Sequence, residues 1–136
     1  MSELIEAYGF EPLPVEGTLF ASTYRSPASL PDGSPFGTAM IGLYAHDPLS
    51  RSLFHRLPHD EVWHFYGGDP IRLVLLWPDG GVSEVWLGLD VRAGQRVQFV
   101  IPAGVWQAGE LEPGGTYGPV SYTHLRAHET ERTIAY

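Results

Sequence analysis

His55-Arg56-Leu57-Pro58-His59-Asp60-Glu61-Val62-Trp63-His64-Phe65-Tyr66-Gly67-Gly68, followed downstream by Pro102-Ala103-Gly104-Val105-Trp106-Gln107, decides how this chain is read. The two segments pack imidazoles, carboxylates and aromatics into short strand-like stretches bounded by Gly and Pro. Strand geometry sends successive side chains to opposite faces, so Glu61, Trp63 and Phe65 share one face while Val62, His64 and Tyr66 share the other. Polar groups turned toward the inside of a closed sheet usually serve a ligand, because burying them without a partner is costly.

The flanking sequence points to an all-β fold. Gly 16 and Pro 12 in 136 residues punctuate short apolar runs with turns, a pattern of strands rather than helices. Ile71 to Trp77 and Val82 to Leu87 flank Pro78-Asp79-Gly80-Gly81, which supplies the turn dihedrals that a hairpin needs. Further strands are expected over Thr18 to Arg25, Thr38 to Ala45, Asp60 to Tyr66, Arg96 to Ile101 and Val105 to Leu111. The stretch from Ser26 to Gly37, rich in Ser, Pro, Gly and Asp, reads as a loop or a flap. At the N-terminus Ser2 is expected to cap a short helix through Tyr8, with Gly9 as its stop. Strands of this length and spacing fit a sandwich or a small barrel, which also removes exposed sheet edges.

Composition removes several classes of function. A hydrophobic content of 43% in a 136-residue chain fills one core, so one domain is expected. The net charge of −8 opposes binding to nucleic acid, which needs clustered cations. No apolar run approaches a membrane span and no secretory signal opens the chain, so a cytoplasmic protein without membrane contact is expected. The absence of Cys excludes thiolate nucleophiles and thiolate–zinc sites. All eight basic side chains are Arg. Without a lysine amine, Schiff-base chemistry and pyridoxal phosphate attachment are excluded too.

The C-terminal stretch from Ser121 to Tyr136 departs from the rest. It is polar, has no Gly or Pro, lacks strand alternation, and resembles translated adaptor or read-through sequence. Residues 119–136 are therefore expected to be a tail outside the native fold, with a solvated tail or short helix as the alternative, and His124 and His128 are discounted as ligands.

Phe54 to Leu57, Asp60 to Tyr66, Gly68-Asp69-Pro70, Pro78-Asp79-Gly80, Leu87 to Asp90 and Pro102 to Gln107 together resemble, in order and spacing, the fifth cupin family, a small group of obscure function. Weaker echoes at Leu4 to Ala7, Glu16-Gly17 and Thr23 to Ser26 extend the likeness over residues 4–118. The resemblance implies a double-stranded β-helix, or jelly-roll barrel, with an interior ligand pocket and a homodimeric assembly. Family members end in a further strand containing a Gly-Cys-Thr-Val-like stretch, which this chain lacks after about Tyr117. A foreign ending would leave the barrel one strand short.

In metal-binding cupins two His and a Glu come from the first motif and a further His from the second. The corresponding positions here carry His55, Leu57, Glu61 and Gln107, so half of the ligand set is gone, and no metal or other cofactor is expected.

The site residues follow from the same mapping. His55 is the expected base, with Glu61 orienting it and Tyr66 or another tyrosine as the acid; the alternatives are a backbone-bonded His55 and an Arg-paired Glu61. Trp63 and Trp106 are read as ligand platforms or core. Gln107 is expected to orient a ligand, His64 to meet ligand or a subunit interface, and Arg25 to meet an anionic group or form a surface ion pair. His46 and His59 are read as solvated. The function expected is that of a small-molecule cupin acting as a metal-independent isomerase or epimerase on a sugar or sugar nucleotide. The alternatives are a metabolite binder without turnover and a metal enzyme with an incomplete ligand set.

Overall fold

The computed structural model describes residues 1–125. Met1 holds the N-cap position of α1 (Ser2–Tyr8) without a side-chain bond, so Ser2 begins the helix rather than capping it. Gly9 ends it in the left-handed conformation, as expected. Ten strands follow: β1 (Glu11–Pro12), β2 (Leu19–Arg25), β3 (Gly37–Ala45), β4 (Ser52–His55), β5 (Asp60–Phe65), β6 (Ile71–Leu76), β7 (Val82–Leu87), β8 (Gln98–Ile101), β9 (Trp106–Leu111) and β10 (Tyr117–Leu125).

They form two antiparallel sheets facing each other, the jelly-roll arrangement. One sheet has the order β1-β2-β3-β10-β5-β8 and the other β4-β9-β6-β7. Between them Trp63, Ile71, Leu73, Leu75, Leu87, Ile101 and Leu111 are almost wholly buried, each contributing roughly 1.5–3 kcal/mol of hydrophobic stabilisation. β6 buries alternate residues, Ile71, Leu73 and Leu75, against this core, and β7 adds Leu87. Trp77 N–H donates to the Gly81 carbonyl at 2.9 Å, and Gly81 N–H donates to Asp79 Oδ1 at 2.8 Å, closing the hairpin through the Pro-Asp-Gly cluster.

The C-terminal stretch takes a different course from the one its composition suggests. Residues 119–125 lie in β10, which runs between β3 and β5 with His124 opposite both Thr38 and Glu61. The strand that a foreign ending would have removed is thus filled, and its inward residues Val120, Tyr122 and His124 are buried. His128 and the rest of 126–136 lie outside the described residues. No helix among the described residues is long and apolar enough to cross a membrane.

Candidate functional site

β5 places Glu61, Trp63 and Phe65 toward the space between the sheets, the face predicted from alternation. Glu61 is only 4% exposed, so its carboxylate needs partners. Trp63 Nε1–H donates to Glu61 Oε1 at 2.7 Å. Glu61 Oε2 is held by His124 Nε2 from the neighbouring strand, and His124 Nδ1 lies 3.2 Å from Thr38 Oγ1.

His55 ends β4 opposite Gln107 of β9. Its Nδ1 lies 2.7 Å from the Leu53 carbonyl, a group that can only accept. Nδ1 therefore carries the proton, and in the neutral ring Nε2 keeps its lone pair. Backbone bonding and a free proton acceptor coexist in this one side chain.

Both residues line an interior cavity of about 70 Å³. Leu13, Glu16, Met40, His55 and Leu57, all partly exposed, form its outer part, and Thr18, Ser52, Glu61 and Trp63 its buried part. Beside His55 in the ladder, Gln107 is 1% exposed and its Oε1 has no hydrogen-bond partner among the described residues. Deeper still, Tyr122 donates to the Tyr44 hydroxyl at 2.7 Å. Burial pushes both phenols up from their ordinary range, so both stay protonated at any physiological pH.

The structure does not bring the other expected residues to this cavity. His64 points to the opposite face of β5, where Gln98 Nε2 donates to its Nδ1 at 3.2 Å and Thr123 Oγ1 lies 3.3 Å from its Nε2. It ties three strands together. Tyr66 is 61% exposed and lines a separate apolar hollow beneath α1 with Leu4, Tyr8 and Phe10. Trp106 is 41% exposed, with the Arg56 guanidinium 5.1 Å from its ring centroid. Arg25 is exposed at the end of β2.

Sequence reasoning missed Glu16, Thr18, Ser52 and Tyr44. Only the Glu16-Gly17 echo hinted at them, because Glu16 and Thr18 reach the cavity from the loop before β2, Ser52 from β4, and Tyr44 lies behind it on β3 against Trp63. It also set aside His59 and His124, whose rings stack edge to face with centroids 5.1 Å apart. Asp60 has a structural part: its Oδ1 accepts from Ala103 N–H at 2.8 Å, pinning the Pro102-Ala103-Gly104 turn to the start of β5.

A wider hollow of about 320 Å³ lies against β4, β6 and β9, lined mainly by exposed or half-exposed side chains including Arg51, Leu53, Phe54 and Arg72. Arg72 is already engaged by Glu84 at 2.8 Å and Glu110 at 3.1 Å. Size alone favours this hollow, but the buried polar groups favour the interior cavity, and chemistry is the better guide.

The residues present do not fit a resident metal ion. Leu57 has no donor atom, Gln107 offers a weak amide oxygen, and both oxygens of Glu61 are engaged by Trp63 and His124. Among the described residues no three His, Asp or Glu side chains are grouped to hold one.

A two-sheet jelly roll with a cavity between its sheets, lined by a His and a buried Glu, is the architecture of a cupin. The chain belongs to the cupin superfamily family DUF985, whose profile matches residues 2–132. It is 28% identical over 113 residues to the uncharacterized protein YML079W of Saccharomyces cerevisiae, covering 72% of this chain and 55% of that protein. The chain thus spans little more than half the length of that relative. The crystal structure of protein SO0799 from Shewanella oneidensis superposes with a TM-score of 0.83 at 27% identity, covering 93% of this chain and 78% of that one. A hypothetical protein from Leishmania major superposes with a TM-score of 0.81 at 23% identity, over 91% and 80% of the two chains, a likeness of fold.

Proposed function

We propose that this cupin binds a small metabolite between its sheets, at His55 and Glu61 and without a resident metal. The observation that carries the reading is the placement of a proton-accepting His55 Nε2 and a buried Glu61 carboxylate on one cavity. The cavity measures about 70 Å³. Pockets that enclose drug-sized ligands run to about 300–1,000 Å³. The interior therefore takes a small ligand or the head group of a larger one.

Charge narrows the ligand further. Two carboxylates, Glu16 and Glu61, line the cavity and no Arg among the described residues does, whereas a sugar nucleotide brings phosphates that call for cationic partners. A neutral or cationic group is the better match. Homodimeric assembly, as the resemblance implies, is part of this reading, and the molar mass in solution tests it.

A second reading, a proton-transferring isomerase, is supported by the fixed tautomer of His55. It needs an acid across the substrate, and Tyr66 lies on the wrong face. The Tyr122 hydroxyl does line the cavity but holds its proton too firmly to release it readily. Binding without turnover is accordingly preferred.

Native mass spectrometry of the purified protein tests the first reading. A co-purifying small molecule, lost from the His55→Ala and Glu61→Gln proteins, is expected. A species retained equally by all three proteins would place the ligand elsewhere. Solvent deuterium entering that molecule during incubation would raise the second reading above the first.

A further inference from the structure

We propose that the group received by this cavity is a small ammonium, so that the ligand is an amine. The inference rests on the reading that the interior is the ligand site, and it names the ligand's chemical class. Its basis is the balance of donors and acceptors around the cavity.

Acceptors are plentiful. Glu16 contributes a carboxylate, Glu61 the lone pairs left beside its bonds to Trp63 and His124, and His55 the lone pair of Nε2, while Gln107 Oε1, buried behind this lining and opposite His55 in the ladder, lacks a donor among the described residues. Leaving such an oxygen unsatisfied costs about as much as a lost hydrogen bond, so a donor from the ligand would be well rewarded.

The interior donors, by contrast, are committed, the Thr18 and Ser52 hydroxyls to the Tyr44 oxygen among them. Trp63 Nε1–H is spent on Glu61, His124 Nε2 on the other oxygen of the same carboxylate, and the Tyr122 hydroxyl on Tyr44. A ligand that enters must bring N–H or O–H groups, and a positive charge is favoured by the two carboxylates. An ammonium has three donors and one charge in little more than the volume of a water molecule, which suits a cavity of 70 Å³. The count does not hinge on β10, because removing His124 would only vacate another acceptor on Glu61.

The test uses the full chain and four probes at equal ionic strength: methylammonium chloride, tetramethylammonium chloride, methanol and sodium acetate. Methylammonium is expected to raise the melting temperature by at least ~2 °C. Tetramethylammonium has the charge without donors and is expected to leave it unchanged, as are methanol and acetate. Gln107→Leu keeps the volume and removes the unsatisfied oxygen, so the protein should melt no lower than the parent while binding methylammonium about tenfold more weakly.

A larger shift with acetate than with methylammonium would overturn the proposal, as would an undiminished methylammonium shift in Gln107→Leu. So would the absence of any shift, and the native mass spectrum then separates two cases. A co-purifying molecule that depends on His55 and carries no basic nitrogen leaves the interior site standing and removes only the ammonium. No co-purifying molecule and no shift together remove both.

Discussion

Trp63 and Glu61 stand two residues apart on one face of β5, and the indole N–H of the first donates to the carboxylate of the second at 2.7 Å. This bond inside one strand fixes an acid that alternation alone would leave unsupported in the core. It depends on both residues having the same parity, so a slip of one residue in the β5 register would carry the bonded pair out of the core together.

Replacing Trp63 with Phe keeps a ring but removes the donor and leaves empty volume beside Tyr44 and Tyr122. A loss of about 2–4 kcal/mol is expected, seen as a lower urea midpoint with an unchanged slope. Glu61→Gln should cost less in the Trp63→Phe background than in the parent, with a coupling of about 0.5–3 kcal/mol. Additive effects would show that the 2.7 Å contact contributes nothing.

How far the sequence reveals the fold depends on where polarity falls. β5, β6 and β7 are legible because their inward positions are apolar or carry the one expected acid, and the turn between β6 and β7 is marked by Pro78-Asp79-Gly80. β10 is hidden although its alternation is real: two of its inward positions are Tyr122 and His124, so a polar composition masks a buried face. The site shows the same division. His55 and Glu61 were found from the family resemblance and Trp63 from the same strand, whereas Glu16 and Thr18 arrive from the loop before β2 and Tyr44 from β3, and no spacing rule joins them. Tyr66 and Trp106 were drawn in by their nearness in sequence to Glu61 and Gln107. Parity sends Tyr66 to the far face of β5, and Trp106 alternates outward next to the inward Gln107.

Alkaline pH should destabilise the protein more than its exposed groups predict. The buried Tyr44 phenol has its pKa raised, chiefly by desolvation. In the unfolded chain it loses its proton near its ordinary pKa of about 10, while the folded protein still holds it. Above that pH the folded state binds more protons than the unfolded one, so stability present below about pH 10 is lost as pH rises through the unfolded value toward the folded one. Melting temperatures measured from neutral pH to pH 11 should fall more steeply in the parent than in Tyr44→Phe. Parallel curves would refute the assignment.

Val15 occupies a left-handed conformation, with φ 72°, in the loop that carries Leu13 and Glu16 to the cavity. A β-branched side chain is strained there by about 1–2 kcal/mol. Val15 is 88% exposed, so its side chain contributes little burial in return. Val15→Gly is expected to raise stability by about 1 kcal/mol, and Val15→Asn by less. The readout is the thermal midpoint. A fall in both variants would mean that the valine makes contacts worth more than its strain.

The most severe prediction concerns β10, because it is an inner strand rather than an edge. Its main chain pairs with β3 from Gly37 to Ala45 on one side and with β5 from Asp60 to Phe65 on the other. A chain ending at Gly118 would expose both ladders and the apolar faces of Tyr44, Trp63 and Phe65 at once. It should lose cooperative unfolding and the near-ultraviolet circular dichroism of its packed aromatics, and aggregate through the newly opened edges. A chain ending at Leu125 retains every described strand and is expected to keep a cooperative transition. The sequence of the strand should matter less than its presence, since main-chain hydrogen bonds do not depend on side-chain identity. Replacing residues 119–125 with an alternating strand of Val, Thr and Cys, in the manner of the family's usual ending, should therefore preserve folding. If that replacement fails to fold, the side chains of Tyr122 and His124, rather than the filled ladder, hold β3 and β5 together.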